Sequence, residues 1–308
     1  MSRLVFFGNE RIATGAETTV PTLQALIKAG YDIAAVIVAQ GDASNSRKKR
    51  PLEIALVADE AGIPILTPRK LTDILETLAS HKADAGVLVA YGKLVPQSVI
   101  DLFPGGIINI HPSLLPAHRG SIPIESVILS GEVKTGVSLM QLVREMDAGP
   151  IYIQKSIALT GGESKQELAD QLLRLGKDLL IGNLPAILGG TLKPKAQSEN
   201  NVTYDQRLNK NDGLLLPDKW DRPAYEIVRM VRAFSGWPRV RTTLAGTEII
   251  ITESHSVADA GTPGVLWVKD QTFGVYAKDS SVVIDRLIPI GKKEISAAEF
   301  LLGYKLTF

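Results

Sequence analysis

The sequence predicts an α/β fold, with a Rossmann-like, mostly parallel sheet in an N-terminal domain and an OB-like β-barrel in a C-terminal domain. From residue 3 to about residue 188, short apolar runs alternate with longer amphipathic ones, as strands and helices do around a parallel sheet. From residue 239 to 288, five short strand-like runs are separated by glycines and polar turns, which is typical of a small barrel. The length of 308 residues fits two domains of ordinary size.

The predicted elements of the first domain follow the order expected for β-α units. Strand-like runs such as 105–110 (GGIINI) are apolar on both faces, as in a sheet that helices cover on both sides. Ser164, with Glu167 three residues later, matches a capping box and indicates the start of a long helix. We predict strands over residues 3–8, 32–39, 64–66, 85–92 and 105–110, and helices over 19–30, 52–62, 71–80 and 163–188.

After Gly189 and Gly190 the sequence becomes polar and loses its periodicity, which indicates a connection between domains. The predicted boundaries are residues 1–188 for the first domain, 189–208 for a linker and 209–308 for the second domain. In the second domain we predict a helix over 225–234 and strands over 239–243, 248–252, 264–268, 274–277 and 282–288.

The composition excludes several classes of functional site. The chain has no cysteine, so disulfides, thiolate zinc sites, iron–sulfur clusters and a cysteine nucleophile are excluded. Its 34 basic and 33 acidic residues give a formal charge of +1, so contact with nucleic acid requires a local patch. The sequence shows neither a signal-peptide pattern nor an apolar run of the ~18 residues that a membrane span needs. We therefore predict a cytoplasmic protein with no membrane partner.

The densest group of unusual residues is the segment 105–123 (GGIINIHPSLLPAHRGSIP). Asn109 and His111 are two apart on a strand, so they point the same way where that strand ends. Ligands bind at this end of the strands in open α/β sheets. An amide donor beside an imidazole suits a reaction in which a carbonyl oxygen becomes an oxyanion, although a hydrogen-bonded Asn and a surface His at a strand end give the same pattern.

A second polar candidate, Asp147, lies in the segment 144–153 (REMDAGPIYI), just before Gly149 and Pro150. These neighbours predict a turn that leads into an apolar run. The carboxylate would orient His111 or accept a proton through water. The alternative is that Asp147 serves only to form the turn.

Together these motifs resemble the formyltransferase family that uses 10-formyltetrahydrofolate. The pattern that carries the resemblance is Asn109-x-His111-x-Ser113-Leu114-Leu115-Pro116 with Arg119-Gly120, followed by Asp147-x-Gly149. The resemblance implies that Asn109, His111 and Asp147 are the catalytic residues. It also implies that the cofactor is bound by Ser113, Leu114, Leu115, Pro116, Val89 and Tyr91.

The resemblance extends from Arg3 almost to Phe308 and includes the segments 233–240 (AFSGWPRV) and 291–301 (GKKEISAAEFL). It implies an enzyme that transfers a formyl group from 10-formyltetrahydrofolate to the α-amino group of methionine on initiator tRNA, in translation initiation. The first domain would bind folate and catalyse the transfer, and the OB-like domain would bind tRNA. We also predict a monomer. No metal site is predicted, because the sequence has no cluster of metal ligands.

A basic run follows the second predicted strand. Four consecutive cations repel one another and by charge alone indicate a solvated loop. The resemblance implies instead that they hold the acceptor end of the tRNA, where Arg pairs with phosphate or a base edge and Lys supplies point charge. These residues are Arg47, Lys48, Lys49 and Arg50.

The sequence also departs from the family pattern. The first loop, residues 8–21, is unlike the shorter turn of relatives, and His118 stands where many members have an aromatic residue. We expect His118 to lie on the surface, the alternative being the rim of the cofactor pocket.

Other functions stay open. A sugar-nucleotide N-formyltransferase shares the catalytic segment, but the basic run and the β-rich C-terminal region argue against it. A non-catalytic RNA-binding protein on the same scaffold would not need all three of Asn109, His111 and Asp147. A glycinamide ribonucleotide formyltransferase usually ends near the first domain, and a dinucleotide dehydrogenase would need a G-x-G-x-x-G motif after Gly8.

Overall fold

The fold is described from a computed structural model that covers residues 2–17, 19–39 and 52–304. The chain forms two compact units. The first comprises Met1–Ile124, Val133–Leu159 and Gln166–Gln206, and the second comprises Glu125–Glu132, Thr160–Lys165 and Arg207–Phe308. The predicted boundaries at 1–188, 189–208 and 209–308 stay a prediction. The basic run from Arg47 to Arg50 lies outside the described residues.

The first unit contains a seven-stranded sheet in the order β3-β2-β1-β4-β5-β7-β8. The five strands from β3 to β5 pair in parallel, and β7 and β8 pair antiparallel at one edge. A separate parallel pair, β6 with β9, is also part of this unit. The strands are β1 (Arg3–Gly8), β2 (Asp32–Ile37), β3 (Ile65–Leu66), β4 (Ala85–Val89), β5 (Ile107–His111), β6 (Arg119–Gly120), β7 (Lys134–Gln141), β8 (Ile151–Ala158) and β9 (Tyr204–Asp205).

The helices of this part of the chain follow the sequence prediction where it was made. Ser164 directly precedes the long helix, as its capping-box pattern predicts. The helices are α1 (Pro21–Lys28), α2 (Glu53–Glu60), α3 (Leu75–Ser80) after a 3-10 turn at Leu71–Ile74, α4 (Gln97–Ile100), α5 (Pro123–Ser130) and α6 (Lys165–Leu188). Six of the elements described so far were not predicted, namely α4, α5, β6, β7, β8 and β9.

The parallel strands β1, β2, β4 and β5 are buried on both faces, apart from the first residue of β1 and of β2, which explains their continuous apolar sequence. Phe7 on β1 packs edge to face against Tyr91 and Phe103, with ring centroids 6.1 and 5.8 Å apart. Burial of each such ring contributes about 1.5–3 kcal/mol. On the opposite side of β5 the helix α6 approaches closely at Gly176, where a Cβ atom would lie 2.5 Å from Cγ2 of Ile110. The face of β5 that carries Ile110 is therefore tightly packed against α6.

The second unit contains an antiparallel sheet in the order β10-β11-β14-β13-β12, with β15 paired to β14. The five predicted strands are all present. Phe300 of the last helix packs on Phe273 of the sheet at a centroid distance of 5.5 Å. The elements are α7 (Ala224–Ala233), β10 (Val240–Leu244), β11 (Thr247–Val257), β12 (Leu266–Lys269), β13 (Thr272–Tyr276), β14 (Ser281–Pro289), β15 (Ile295–Ser296) and α8 (Ala297–Gly303).

The predicted fold class is confirmed: a mostly parallel N-terminal sheet precedes a C-terminal antiparallel β domain. None of the helices within the described ranges is long and apolar enough to cross a membrane.

Candidate active site

A cavity of about 330 Å³ opens at the carboxyl ends of β4 and β5. These two strands are parallel neighbours in register, with Leu88 opposite Asn109, so the loops that follow them meet at the same edge of the sheet. The volume falls in the range of small-molecule sites. Its walls are residues 11–12, 88, 90–95, 109–112, 120–121, 123 and 142–147.

Two polar side chains enter this cavity from β5. Asn109 and His111 are both buried and both line the cavity, as their spacing on a strand predicts. Within the described chain, no residue forms a hydrogen bond with the side-chain amide of Asn109. The amide is therefore able to donate to a substrate oxygen.

The hydrogen bond of His111 fixes the arrangement of its ring. Its Nε2 lies 2.9 Å from the backbone carbonyl oxygen of His118. Because a carbonyl only accepts, Nε2 carries the hydrogen of this bond. The other ring nitrogen, Nδ1, lies 3.7 Å from Oδ1 of Asp147, within ion-pair range but beyond a direct hydrogen bond.

Asp147 lies on the predicted turn and adopts a left-handed backbone conformation with φ of 50°, which Asp tolerates better than most residues. Its Oδ2 accepts a hydrogen bond of 2.9 Å from the backbone N–H of Gly120. Its backbone carbonyl accepts a bond of 2.8 Å from Nε2 of Gln197. These contacts hold Asp147 so that Oδ1 faces His111, and the structure brings all three predicted catalytic residues to one cavity.

The first loop is anchored by a buried carboxylate that the sequence reasoning missed. Glu10 is 1% exposed, and its two oxygens accept hydrogen bonds of 2.9 and 2.8 Å from the backbone N–H groups of Thr22 and Leu23 in the first turn of α1. Burial raises the pKa of Glu10 to about 7, against the opposing effect of these bonds. The anchor supports the next residues, Arg11 and Ile12, on the cavity wall. The signal available in the sequence was an acidic residue shortly before a helix that opens with proline.

The six predicted cofactor residues divide into two groups. Tyr91 lines the cavity, whereas the other five are not among the described residues of its walls. In the loop after β5, the hydroxyl of Ser113 donates to the carbonyl of Ala117 at 2.7 Å, and the N–H of Leu115 donates to the hydroxyl of Ser138 at 3.1 Å. The cofactor role of Val89, Ser113, Leu114, Leu115 and Pro116 stays a prediction.

His118 is not the surface residue that we expected from the sequence. Its side chain is only 13% exposed, and its Nδ1 lies 3.1 Å from Oδ1 of Asp205. That expectation is wrong because it considered only nearby residues, whereas Asp205 follows 87 positions later. His118 is not among the residues that line the cavity either.

The cavity walls also include residues that sequence reasoning did not single out. Arg11, Lys93 and Arg144 bring positive charge to the mouth, and Leu94 and Met146 are exposed apolar side chains there. A partial signal was present, because Lys93 and Leu94 follow β4 directly, at the edge of the sheet where ligands bind.

Two family models match the chain. The model described as formyl transferase matches residues 3–184, and the model described as formyl transferase, C-terminal domain, matches residues 207–305.

Relatives align over nearly the full length. A methionyl-tRNA formyltransferase of Roseiflexus castenholzii is 33% identical and aligns over 99% of this chain and 97% of its own. A protein of the same name from Solibacter usitatus is 34% identical over 99% of this chain and 96% of its own. Among solved structures, an N-formyltransferase from Helicobacter canadensis in complex with folinic acid and dTDP-3-aminofucose matches with a TM-score of 0.70 at 20% identity, over 92% of this chain and 99% of that one. At this identity the structural match reports the fold alone.

Proposed function

The chain belongs to the formyl transferase family, and from that premise we propose that it transfers a formyl group from 10-formyltetrahydrofolate to the α-amino group of methionine on initiator tRNA. The acceptor is supported by the relatives named methionyl-tRNA formyltransferase, which align along almost the entire chain. The observation that carries the proposed chemistry is the convergence of Asn109, His111 and Asp147 on one cavity.

The residues present fit a formyl donor. The cavity is lined by apolar residues, including Leu88 and Val95, and by the polar side chains of Asn109, His111 and Asp147. Such a site holds a flat, largely apolar substrate and presents hydrogen-bond donors to one end of it. In this arrangement the formyl carbonyl lies next to Asn109 and His111.

Formyl transfer forms one C–N bond and breaks another. The neutral methionyl amine attacks the formyl carbon, a tetrahedral intermediate with an oxyanion forms, and the bond to N10 of the folate then breaks. The amide of Asn109 donates to the oxyanion, and a donor of this kind typically lowers the barrier by about 2.7–4 kcal/mol.

Protons move in the same step, because the attacking amine loses one and N10 gains one. His111 assists the oxyanion or protonates N10, and Asp147 orients His111 and helps to remove the amine proton. Nδ1 of His111 and Oδ1 of Asp147 face each other. In this proposal they are the atoms that accept and release the protons exchanged between the amine and N10.

The tRNA requires contacts beyond the cavity. We assign the acceptor end to the basic run of Arg47, Lys48, Lys49 and Arg50, and the C-terminal domain to tRNA binding. The acceptor stem is double-helical, so shape and backbone contacts dominate its recognition.

The test supplies 10-formyltetrahydrofolate with one of three acceptors: charged initiator tRNA, charged elongator tRNA or an amino-sugar nucleotide. We expect the formyl group on methionyl initiator tRNA. Formylation of the amino sugar alone would establish the sugar-nucleotide alternative. Binding of tRNA with no transfer to any acceptor would establish the non-catalytic one.

A further inference from the structure

The catalytic His and Asp both depend on a chain segment that lies far from them in sequence. We name residues 195–206 the return segment, because after α6 they come back to the sheet of the first unit. At its start, Lys195 and Ile151 exchange backbone hydrogen bonds of 2.9 and 2.8 Å. Gln197 then donates from Nε2 to the carbonyl oxygens of Asp147 and Gly149, at 2.8 and 2.7 Å. The turn that presents Asp147 is thus fixed by a side chain of the return segment.

The end of the return segment forms β9, which pairs with β6. The backbone N–H of Arg119 donates to the carbonyl of Thr203 at 2.9 Å. At Gly120, where φ is 118°, a Cβ atom would lie 2.9 Å from the carbonyl oxygen of Asp205, so only glycine permits this approach. The N–H of the same Gly120 donates to Oδ2 of Asp147. The pairing of β6 with β9 therefore also sets the position of a donor to the catalytic carboxylate.

His118 connects the return segment to His111. Its backbone N–H donates to the hydroxyl of Thr203 at 2.7 Å, and its ring lies 3.1 Å from Asp205, while its carbonyl accepts from His111. His118 has a φ of 58°, an uncommon conformation for a residue with a side chain, and such strain persists where the surroundings hold it. The side chain of Asp205 is 8% exposed, and its Oδ2 has no hydrogen-bond partner in the described part of the chain. Of the two carboxylate oxygens of Asp205, it is therefore Oδ1 that makes the contact, and it contacts the ring of His118.

Arg119 ties the two halves of the return segment together. Its Nε and Nη2 donate to Oε1 of Gln197 at 3.2 and 2.8 Å, and its Nη1 donates to the hydroxyl of Tyr204 at 2.8 Å. The guanidinium also lies 5.5 Å from the centre of the Tyr204 ring. A displacement of Gln197, near the start of the return segment, is therefore transmitted to Tyr204, near its end, and the reverse also holds.

We infer that the return segment is a positioning element for formyl transfer, in which Asp205 acts through His118 on His111, and Gln197 acts on Asp147. The inference rests on the proposed function. Its physical basis is that the carbonyl of His118 holds Nε2 of His111 and thereby turns Nδ1 towards Asp147. A displacement of reacting groups by about 1 Å costs on the order of 100-fold in rate, so a partial loss of this support has a measurable effect.

The experiment compares Asp205→Ala with Asp205→Asn in the full-length protein. Asp205→Ala removes the acceptor for His118, whereas Asp205→Asn keeps an oxygen there. The matched control is Asp285→Ala, which removes the other described His–Asp contact outside the site, at 2.9 Å from His255. Each variant is assayed for the single-turnover rate and for KM of both substrates. In addition, ¹⁵N NMR reads the two ring nitrogens of His111, which is practical because the chain has only 4 histidines.

We expect Asp205→Ala to lower the single-turnover rate about tenfold with both KM values unchanged, and to shift the ring-nitrogen signals of His111. Asp205→Asn should restore most of the rate and the wild-type signals, and Asp285→Ala should change neither. A second variant, Gln197→Leu, should lower the rate similarly, because it removes the donor to the Asp147 turn.

Wild-type rates and unchanged His111 signals in folded Asp205→Ala would overturn the inference. If Asp205→Ala does not fold, a wild-type rate in Gln197→Leu would overturn it instead. A wild-type protein that transfers no formyl group would refute the proposed function only, because the NMR measurement still reports whether Asp205 fixes the ring of His111.

Discussion

Two His–carboxylate contacts in this molecule differ in both distance and exposure, and the shorter contact is not the one at the candidate site. His255 and Asp285, on the antiparallel sheet, are 2.9 Å apart, and their side chains are 55% and 38% exposed. His111 and Asp147, at the end of the parallel sheet, are 3.7 Å apart but only 5% and 14% exposed. The longer contact is the one whose remaining polar atoms are held by backbone groups. Burial and orientation by the surroundings, more than a short distance, therefore distinguish the candidate site.

The largest expected effect comes from removing a member of the buried group. Asn109→Ala, His111→Ala and Asp147→Asn should each lower the single-turnover rate of formyl transfer by about 100-fold to 1000-fold, because each removes a group that acts on the transition state. Asp285→Asn, with a carboxylate of the exposed contact changed, should keep the wild-type rate. Near-normal rates in all three site variants, with the fold intact by circular dichroism, would show that the buried contact has no more role in formyl transfer than the exposed one.

The next effect concerns stability and the buried Glu10. Its pKa in the folded protein is about 7, above the ordinary value of 4.5, so the folded state binds the proton more tightly than the unfolded state. Protonation of Glu10 therefore stabilises the folded state. This stabilisation is fully present below pH 4.5 and is lost as the pH rises through 7. Between pH 5 and pH 8 the contribution of Glu10 to the free energy of unfolding should fall by about 2.5 kcal/mol.

Urea unfolding at both pH values measures this loss. Glu10→Gln cannot ionise and should show a correspondingly smaller decrease. Glu60→Gln, at an exposed position on α2, is the control and should follow the wild type. An identical pH dependence in wild type and Glu10→Gln would show that burial does not perturb this carboxyl group.

A smaller effect is expected for the basic run. Replacing Arg47, Lys48, Lys49 and Arg50 by Ser should weaken use of tRNA about tenfold at low salt and flatten its dependence on salt concentration, because fewer counterions are released on binding. Binding of folate should be nearly unchanged. Kinetics equal to those of wild type at every ionic strength would exclude a role for these residues in tRNA binding.

The smallest effect is expected at the exposed contact itself. Asp285→Ala should change the free energy of unfolding by less than about 1 kcal/mol, because solvent screens an ion pair at this exposure. A double-mutant cycle with His255→Ala measures the coupling directly. A coupling well above that value would mean that exposure does not separate the two contacts as we propose.

The sequence predicted the interior of the first sheet better than its edge. Runs such as that of β4 are apolar throughout, so they could be recognised without knowledge of their partners. The antiparallel edge was missed because β8 exposes Gln154, Lys155 and Ser156, which break the apolar run. In β7 the buried Ser138 had the same effect, since its hydroxyl is satisfied by groups distant in sequence, the loop that contains Ser113 and the side chain of Gln154 on β8.

The candidate site was predictable as a set of residues but not as an arrangement. The spacing of Asn109 and His111 on one strand, together with the resemblance of the motifs, was enough to select them with Asp147. The support from Gln197 and Asp205 was not predictable, because those residues lie 50 and 87 positions from the groups they contact. Glu10 was missed for a related reason: its burial depends on how the first loop folds over α1.

The close approach of α6 to β5 has a consequence for engineering. Exchanging a helical glycine for alanine is a common way to gain about 1 kcal/mol of stability, and at Gly182, which has no atom within 4 Å of the added methyl group, that gain is available. At Gly176 the same exchange would press a methyl group onto Ile110, the residue between Asn109 and His111. Thermostabilised variants of this enzyme are therefore best made with Gly176 left untouched, although it lies behind the strand and takes no part in lining the cavity.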